Sequence, residues 1–348
     1  MCSSDLFHLR LGHALPALEA AKRVAAKAPE EMAVLLALAR AQLAGRDPAG
    51  ARGTLANARR QAAFDPARQV EIALLQLAAQ DVAGAAYSLE KALSNGEFLP
   101  ADALMAEVAL RQGDTAQAER RARQIVQRHP RRAVGHSLLG DVAMARAQPA
   151  AALDAYRQAH RAEPSTDTLL RLFRTMATQG DTAGAVRLAG QWTQAHPQDV
   201  AARKALADGQ ARSADWRAAR ASYEAVLKTA PDDAEALNNL ANVLLRLNDP
   251  AAVQVAERAL ARSPGDATLI DTLGWASHLA GQSGRSVQLL RDARLRQPDN
   301  ADIRHHLAAA LAAAGRRGEA RDELVAALGS GRVLEDAAGA QALLKTLQ

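Results

Sequence analysis

The adjacent pair His305-His306 is the nearest thing to a reactive cluster in this 348-residue sequence. Successive helical residues point about 100° apart, so the pair makes a poor metal site. One histidine is expected in a binding surface and the other packed. The single cysteine, Cys2, leaves no pair for a disulfide or a thiolate metal site. No HExxH, phosphate-cradling Gly-rich loop or GxSxG occurs. No catalytic residue, cofactor or metal is expected, and the chain reads as a non-enzyme. The basic run RRARQIVQRHPRR (120–132) invites a nucleic-acid reading. Ala118, Ala122 and Ile125 would occupy its buried face, leaving Arg120, Arg121 and Arg123 mainly on a solvated one. Aromatics for base stacking are missing, so no nucleic acid is expected. The more informative stretch is ALNNLANVLLRL (236–247). An Asn side chain both donates and accepts, and so can pair with a peptide backbone of any sequence. Trp275, in DTLGWASHLAGQ, is either an interface anchor or packing between helices.

These residues need elements to position them, and composition says which. Hydrophobic residues are 49% of the chain but aromatics only 3%. About a quarter of the residues are alanine, the best helix former. Residues that favour strands are scarce, which predicts an all-α protein with closely packed helices. A net charge of +5 is mild for this length and permits an acidic partner. No apolar run approaches a membrane span, and no signal-peptide core precedes the fold.

The prolines reveal a repeat. Pro130, Pro164, Pro197, Pro231, Pro264 and Pro298 are spaced by 34, 33, 34, 33 and 34 residues. Each unit reads as a first helix of about 13 residues, a polar turn, a second helix and a terminating proline. In the first helices a large residue precedes a small one: Leu139-Gly140, Leu206-Ala207, Leu240-Ala241, Leu273-Gly274 and Leu307-Ala308. The second helices supply Ala152, Ala219, Ala252, Ser286 and Ala320 opposite. Tyr156, Tyr223, Leu290 and Leu324 then fill the space between neighbouring hairpins. One hairpin cannot bury its apolar face alone; a stack can.

This pattern resembles the tetratricopeptide repeat (TPR) family. The resemblance implies a right-handed α-α superhelix, a solenoid of about nine hairpins. Full repeats are expected at about 32–66, 67–98, 99–132, 133–166, 167–199, 200–233, 234–266, 267–300 and 301–332. A partial repeat precedes them at 7–31, and a capping helix follows at 333–348. The 67–98 repeat matches poorly. The 167–199 repeat has Arg174 at the small position and Trp192 near its end, so distortion is expected in both. In such arrays the first helices line a concave groove that holds partner segments. The inward-facing candidates are Arg171, Lys204, Arg212, Asn238, Asn239, Asn242, Arg246, Trp275, His278 and His305. The basic residues among them would favour a carboxylate or an acidic segment.

Residues 271–324, DTLGWASHLAGQSGRSVQLLRDARLRQPDNADIRHHLAAALAAAGRRGEARDEL, carry a narrower resemblance. They look like the C-terminal end of the TPR-repeat lipoproteins of the PEP-CTERM/exosortase system. That resemblance implies a protein–protein interaction scaffold in bacterial envelope exopolysaccharide or protein export. The parent would then be a periplasmic or outer-envelope lipoprotein. The alternative is a cytoplasmic adaptor, or a regulatory lobe of a larger enzyme such as a glycosyltransferase. MCSSDL mimics a lipid-bearing N-terminus but joins directly to half a repeat. One codon choice for CSSDL reads TGCTCTTCCGATCT, which looks like the end of a sequencing adapter. Met1–Leu6 is therefore expected to be non-native, fused to a piece of a longer array.

Overall fold

The computed structural model describes residues 14–348, with side chains described from residue 16 onward. The leader Met1–Leu6 and the start of the expected partial repeat lie outside the described residues. Among the described residues there are 20 α-helices and no strand. They divide into two units, one ending at Thr175 and the other starting at Met176.

The first unit runs α1 (Ala14–Lys27), α2 (Met32–Ala44), α3 (Pro48–Ala62), α4 (Pro66–Ala78), α5 (Val82–Leu93), α6 (Leu99–Arg111), α7 (Thr115–Arg128), α8 (Ala133–Ala145), α9 (Pro149–Ala162) and most of α10 (Thr166–Thr178). The second contains α11 (Thr182–Ala195), α12 (Val200–Arg212), α13 (Trp216–Thr229), α14 (Ala234–Arg246), α15 (Ala251–Arg262), α16 (Ala267–Leu279), α17 (Ser283–Arg296), α18 (Ala301–Ala313), α19 (Arg317–Gly329) and α20 (Ala337–Thr346). All six periodic prolines lie two residues beyond a helix end, as with Ala162 and Pro164.

Each hairpin turn is built alike. In the first unit a left-handed residue stands at Arg46, Gln80, Gly113 and Ala147. In the second it stands at Gly180, Ala214, Asn248, Gly281 and Gly315. The next residue's amide reaches back five residues, as from Asp114 to the Ala109 carbonyl at 2.9 Å and from Gln282 to Ser277 at 2.9 Å. This is the bond that closes a helix through a left-handed residue. An aspartate then often caps the following helix: the Asp114, Asp181 and Asp215 carboxylates accept the amides of Gln117, Gly184 and Ala218.

The small residues set the helix approach. A Cβ on Gly140 would land on the Tyr156 ring, and one on Gly274 would sit 2.6 Å from Leu290 Cγ. Opposite them Ala152, Ala219 and Ser286 are fully buried. At the end of the second unit, Ala340, Leu343 and Leu347 of the α20 region close over Leu311, Leu324 and Leu290.

The two repeats expected to be distorted differ. The α4–α5 hairpin is regular, with Ala73 and Ala85 fully buried and Gln80 in the usual left-handed place. Its departure lies after α5, where Gly96 adopts φ 131°. In α10 Arg174 is exposed while Phe173 and Thr175 on either side are buried. A guanidinium cannot occupy a methyl-sized niche, so the helix presents a different edge. Trp192 binds the start of the next helix, donating to Asp199 at 2.7 Å and stacking on His196 at 4.0 Å.

The basic run in α7 is largely tied down. Arg121 meets Asp102 at 3.3 Å, Arg123 meets Glu119, and Arg128 meets Glu97 at 2.9 Å.

Candidate functional site

A groove of about 900 Å³ lies within the second unit. Its walls come from α12, α13, α14, α16 and α18, together with Glu335 and Asp336. Along α14 the groove face runs through Asn239, Asn242 and Arg246. These residues are three and four apart, the spacing of one helix face. Arg212 enters from the end of α12, Trp275 from α16 and His305 from α18.

Six of the ten residues singled out in the sequence thus share one groove. The other four do not line it. Arg171, in the first unit, is clamped by Asp141 at 2.6 Å and by Asp167 at 2.9 Å. Lys204 is held by Asp233 at 3.0 Å and by Glu235. In both cases a carboxylate about 30 residues away, Asp141 or Asp233, comes from a neighbouring hairpin, which a cation count cannot foresee. Asn238 is buried, with an unpartnered Oδ1, because one helical step past the groove face points into the packing. His278 is partly buried and stacks on Trp275 at 5.0 Å.

Asn242 and Arg212 are exposed and make no polar contact among the described residues. Asn239 only weakly engages Asp208 at 3.4 Å, since Asp208 principally receives the Tyr223 hydroxyl. Arg246 lies 5.6 Å over the Trp216 ring and pairs with Glu335 at 2.5 Å. The groove therefore offers two free polar side chains, one arginine on an aromatic shelf and an indole wall.

His306, expected to be packed, lines the groove as well. It stacks on Trp275 at 4.4 Å and hydrogen-bonds Asp271 at 2.9 Å. Burial presses its pKa down, but the Asp271 hydrogen bond and charge, with Asp302 and Glu335 beyond, hold it above the ordinary histidine value. Burial holds His278 and His305 below theirs, helped by the charge of His306. These shifts act on stability with opposite signs. The His306 contribution is complete below the unfolded pKa of about 6.5 and is lost as pH rises through its folded value. The contributions of His278 and His305 are present above 6.5 and lost as pH falls through theirs. An NMR titration should find His306 protonating first on acidification, and Asp271→Asn should lower its midpoint. A lower midpoint for His306 than for His305 would refute this. The sequence hid the pairing because Asp271 lies one repeat away.

No group of three or more His, Cys, Asp or Glu side chains able to hold a metal occurs among the described residues. No helix among them is long and apolar enough to cross a membrane.

A family model described as a tetratricopeptide repeat matches residues 103–166 and 204–267. Comparison with curated proteins finds no match. Among solved structures, the chain is similar to the APC/C hetero-tetramer Cut9-Hcn1 at 12% identity. That alignment covers 99% of this chain and 95% of that one, with a TM-score of 0.54. It is also similar to a tetratricopeptide repeat protein from Parabacteroides merdae, at 14% identity over 71% and 99% of the two chains and a TM-score of 0.49. A third similar structure, YrrB, is described as a TPR protein with an unusual peptide-binding site. The identity is 15%, over 56% of this chain and 99% of that one, with a TM-score of 0.44. At 12% identity the likeness to Cut9-Hcn1 speaks to fold alone. With a tetratricopeptide-repeat model matching 128 of its residues and an all-α architecture of stacked hairpins, the chain has a tetratricopeptide-repeat fold.

Proposed function

We propose that the chain is a non-catalytic docking scaffold that captures an extended partner segment in the groove of its second unit. One observation carries this reading: Asn242 and Arg212 project into the groove without a partner among the described residues, beside Asn239 and the Trp275 indole. An extended peptide has unpaired backbone amides and carbonyls, and carboxamides can satisfy both. Trp275 adds apolar area that a partner would remove from water. The setting we propose is bacterial envelope export of exopolysaccharide or protein. Its support is the similarity of residues 271–324 to the ends of PEP-CTERM/exosortase-system TPR lipoproteins.

The test joins a binding measurement to a gene-level one. Immobilised chain should retain a partner from an envelope extract of the parent organism, identified by mass spectrometry. The double variant Asn239→Ala/Asn242→Ala should weaken that capture by about ten- to thirtyfold, from roughly 1 kcal/mol per lost hydrogen bond. Its thermal unfolding should be unchanged. Equal capture by the variant would count against the groove. A signal peptide with a lipobox upstream in the gene supports the envelope setting. An in-frame catalytic domain would instead favour the regulatory lobe of a larger enzyme.

A further inference from the structure

The ion pair Arg246–Glu335 spans 89 residues, far more than the one-repeat separations of the other inter-hairpin pairs. Glu335 lies outside the repeats, in the connector between α19 and α20. Two features hold the connector in place. Leu334 packs on the terminal core, and the Glu335 amide donates to Asp302 Oδ1 at 2.8 Å. Its carboxylate alone reaches across to the Arg246 guanidinium above Trp216.

We propose that Glu335 is an internal carboxylate ligand of the groove, occupying the place on Arg246 that an acidic side chain of a partner segment takes on binding. This rests on the docking role proposed above. Three observations point the same way. Arg246 and Glu335 keep 57% and 74% of their side-chain surface exposed, so the pair is weak and easily exchanged. The connector's anchors, Leu334 and the Glu335 amide, do not involve the carboxylate, so that group can swing away while the backbone stays. Arg212, the other arginine lining the groove, has no partner among the described residues and can meet the same incoming acid. The partner's chemistry follows: an extended peptide with an acidic side chain, its backbone laid along Asn239 and Asn242. Asp271, Asp302 and Asp336 also line the groove and disfavour a second acid on the segment.

The probe is a fluorescent, acetylated and amidated octapeptide with the sequence of residues 330–337, SGRVLEDA, added to the full chain at low ionic strength. Glu335→Gln should bind it about two- to fivefold more tightly than the native chain, the range expected for release of an exposed ion pair. Adding Arg246→Gln should abolish the gain, and 0.5 M salt should erase it. Equal affinity of the native chain and Glu335→Gln would overturn the proposal. So would a gain that survives Arg246→Gln, or no binding to any form at millimolar peptide. The Asn239→Ala/Asn242→Ala capture experiment leaves Glu335 in place. Partner loss there with no effect of Glu335→Gln would sink the internal ligand and leave the groove standing.

Discussion

Leu290→Ala should destabilise the second unit by about 2–5 kcal/mol, the range for emptying a fully buried leucine site. Leu290 is completely buried and belongs to the cluster with Val287, Leu307, Leu311 and Leu324. It also fills the hollow above Gly274, where an added Cβ would approach its Cγ to 2.6 Å. Gly274→Ala should therefore cost about 1–3 kcal/mol through overpacking. The two changes share one volume. The alanine at 274 loses its clash once Leu290 is cut back, so the double variant should be more stable than the sum of the single effects by at least about 1 kcal/mol. Urea unfolding followed by circular dichroism gives the energies. Hydrogen exchange should place the loss first in α16 and α17, because each hairpin leans on its neighbours. Additivity within about 0.5 kcal/mol would show that the two residues do not define one packing site.

Asp141→Ala should cost about 2 kcal/mol in the first unit. The Asp141 carboxylate accepts from Arg171 at 2.6 and 2.9 Å and from the Tyr156 hydroxyl at 2.7 Å. Hydrogen bonds to a charged group contribute about 1.5–3 kcal/mol. Arg171 and Asp141 keep 31% and 28% of their side-chain surface exposed, so the larger penalty of breaking a fully buried pair does not apply. Tyr156→Phe should cost less, about 1 kcal/mol. Asp141→Ala combined with Arg171→Met should regain part of the loss, because no lone guanidinium then remains. Thermal melts of the native chain, Asp141→Ala, Arg171→Met and the double variant measure this cycle. A stable Arg171→Ala variant with weakened partner capture would contradict the structural role given to Arg171.

That contrast shows how much of the site was legible in advance. The groove face of α14 could be read because Asn239, Asn242 and Arg246 obey helical spacing. Asn238 fell to the wrong side because one residue turns a side chain through about 100°. Arg171 and Lys204 looked available because their partners, Asp141 and Asp233, belong to neighbouring hairpins. The same applies to His306, whose pKa depends on Asp271 a repeat away. Glu335 obeys no repeat register, so no periodic argument could bring it to Arg246.

The sequence by itself determined the all-α class and the helical hairpin. Those depend on local properties: alanine content, proline stops and small residues at fixed helical intervals. They act over a few residues and survive translation along the chain. Only the tertiary structure decided which polar side chains stay free for a partner. An arginine's role depends on whether a carboxylate from another hairpin lies within about 3 Å, and that distance is set by stacking geometry. Stacking tied Arg171 and Lys204 into the fabric, seated Arg246 over Trp216 against Glu335, and left Arg212 and Asn242 open.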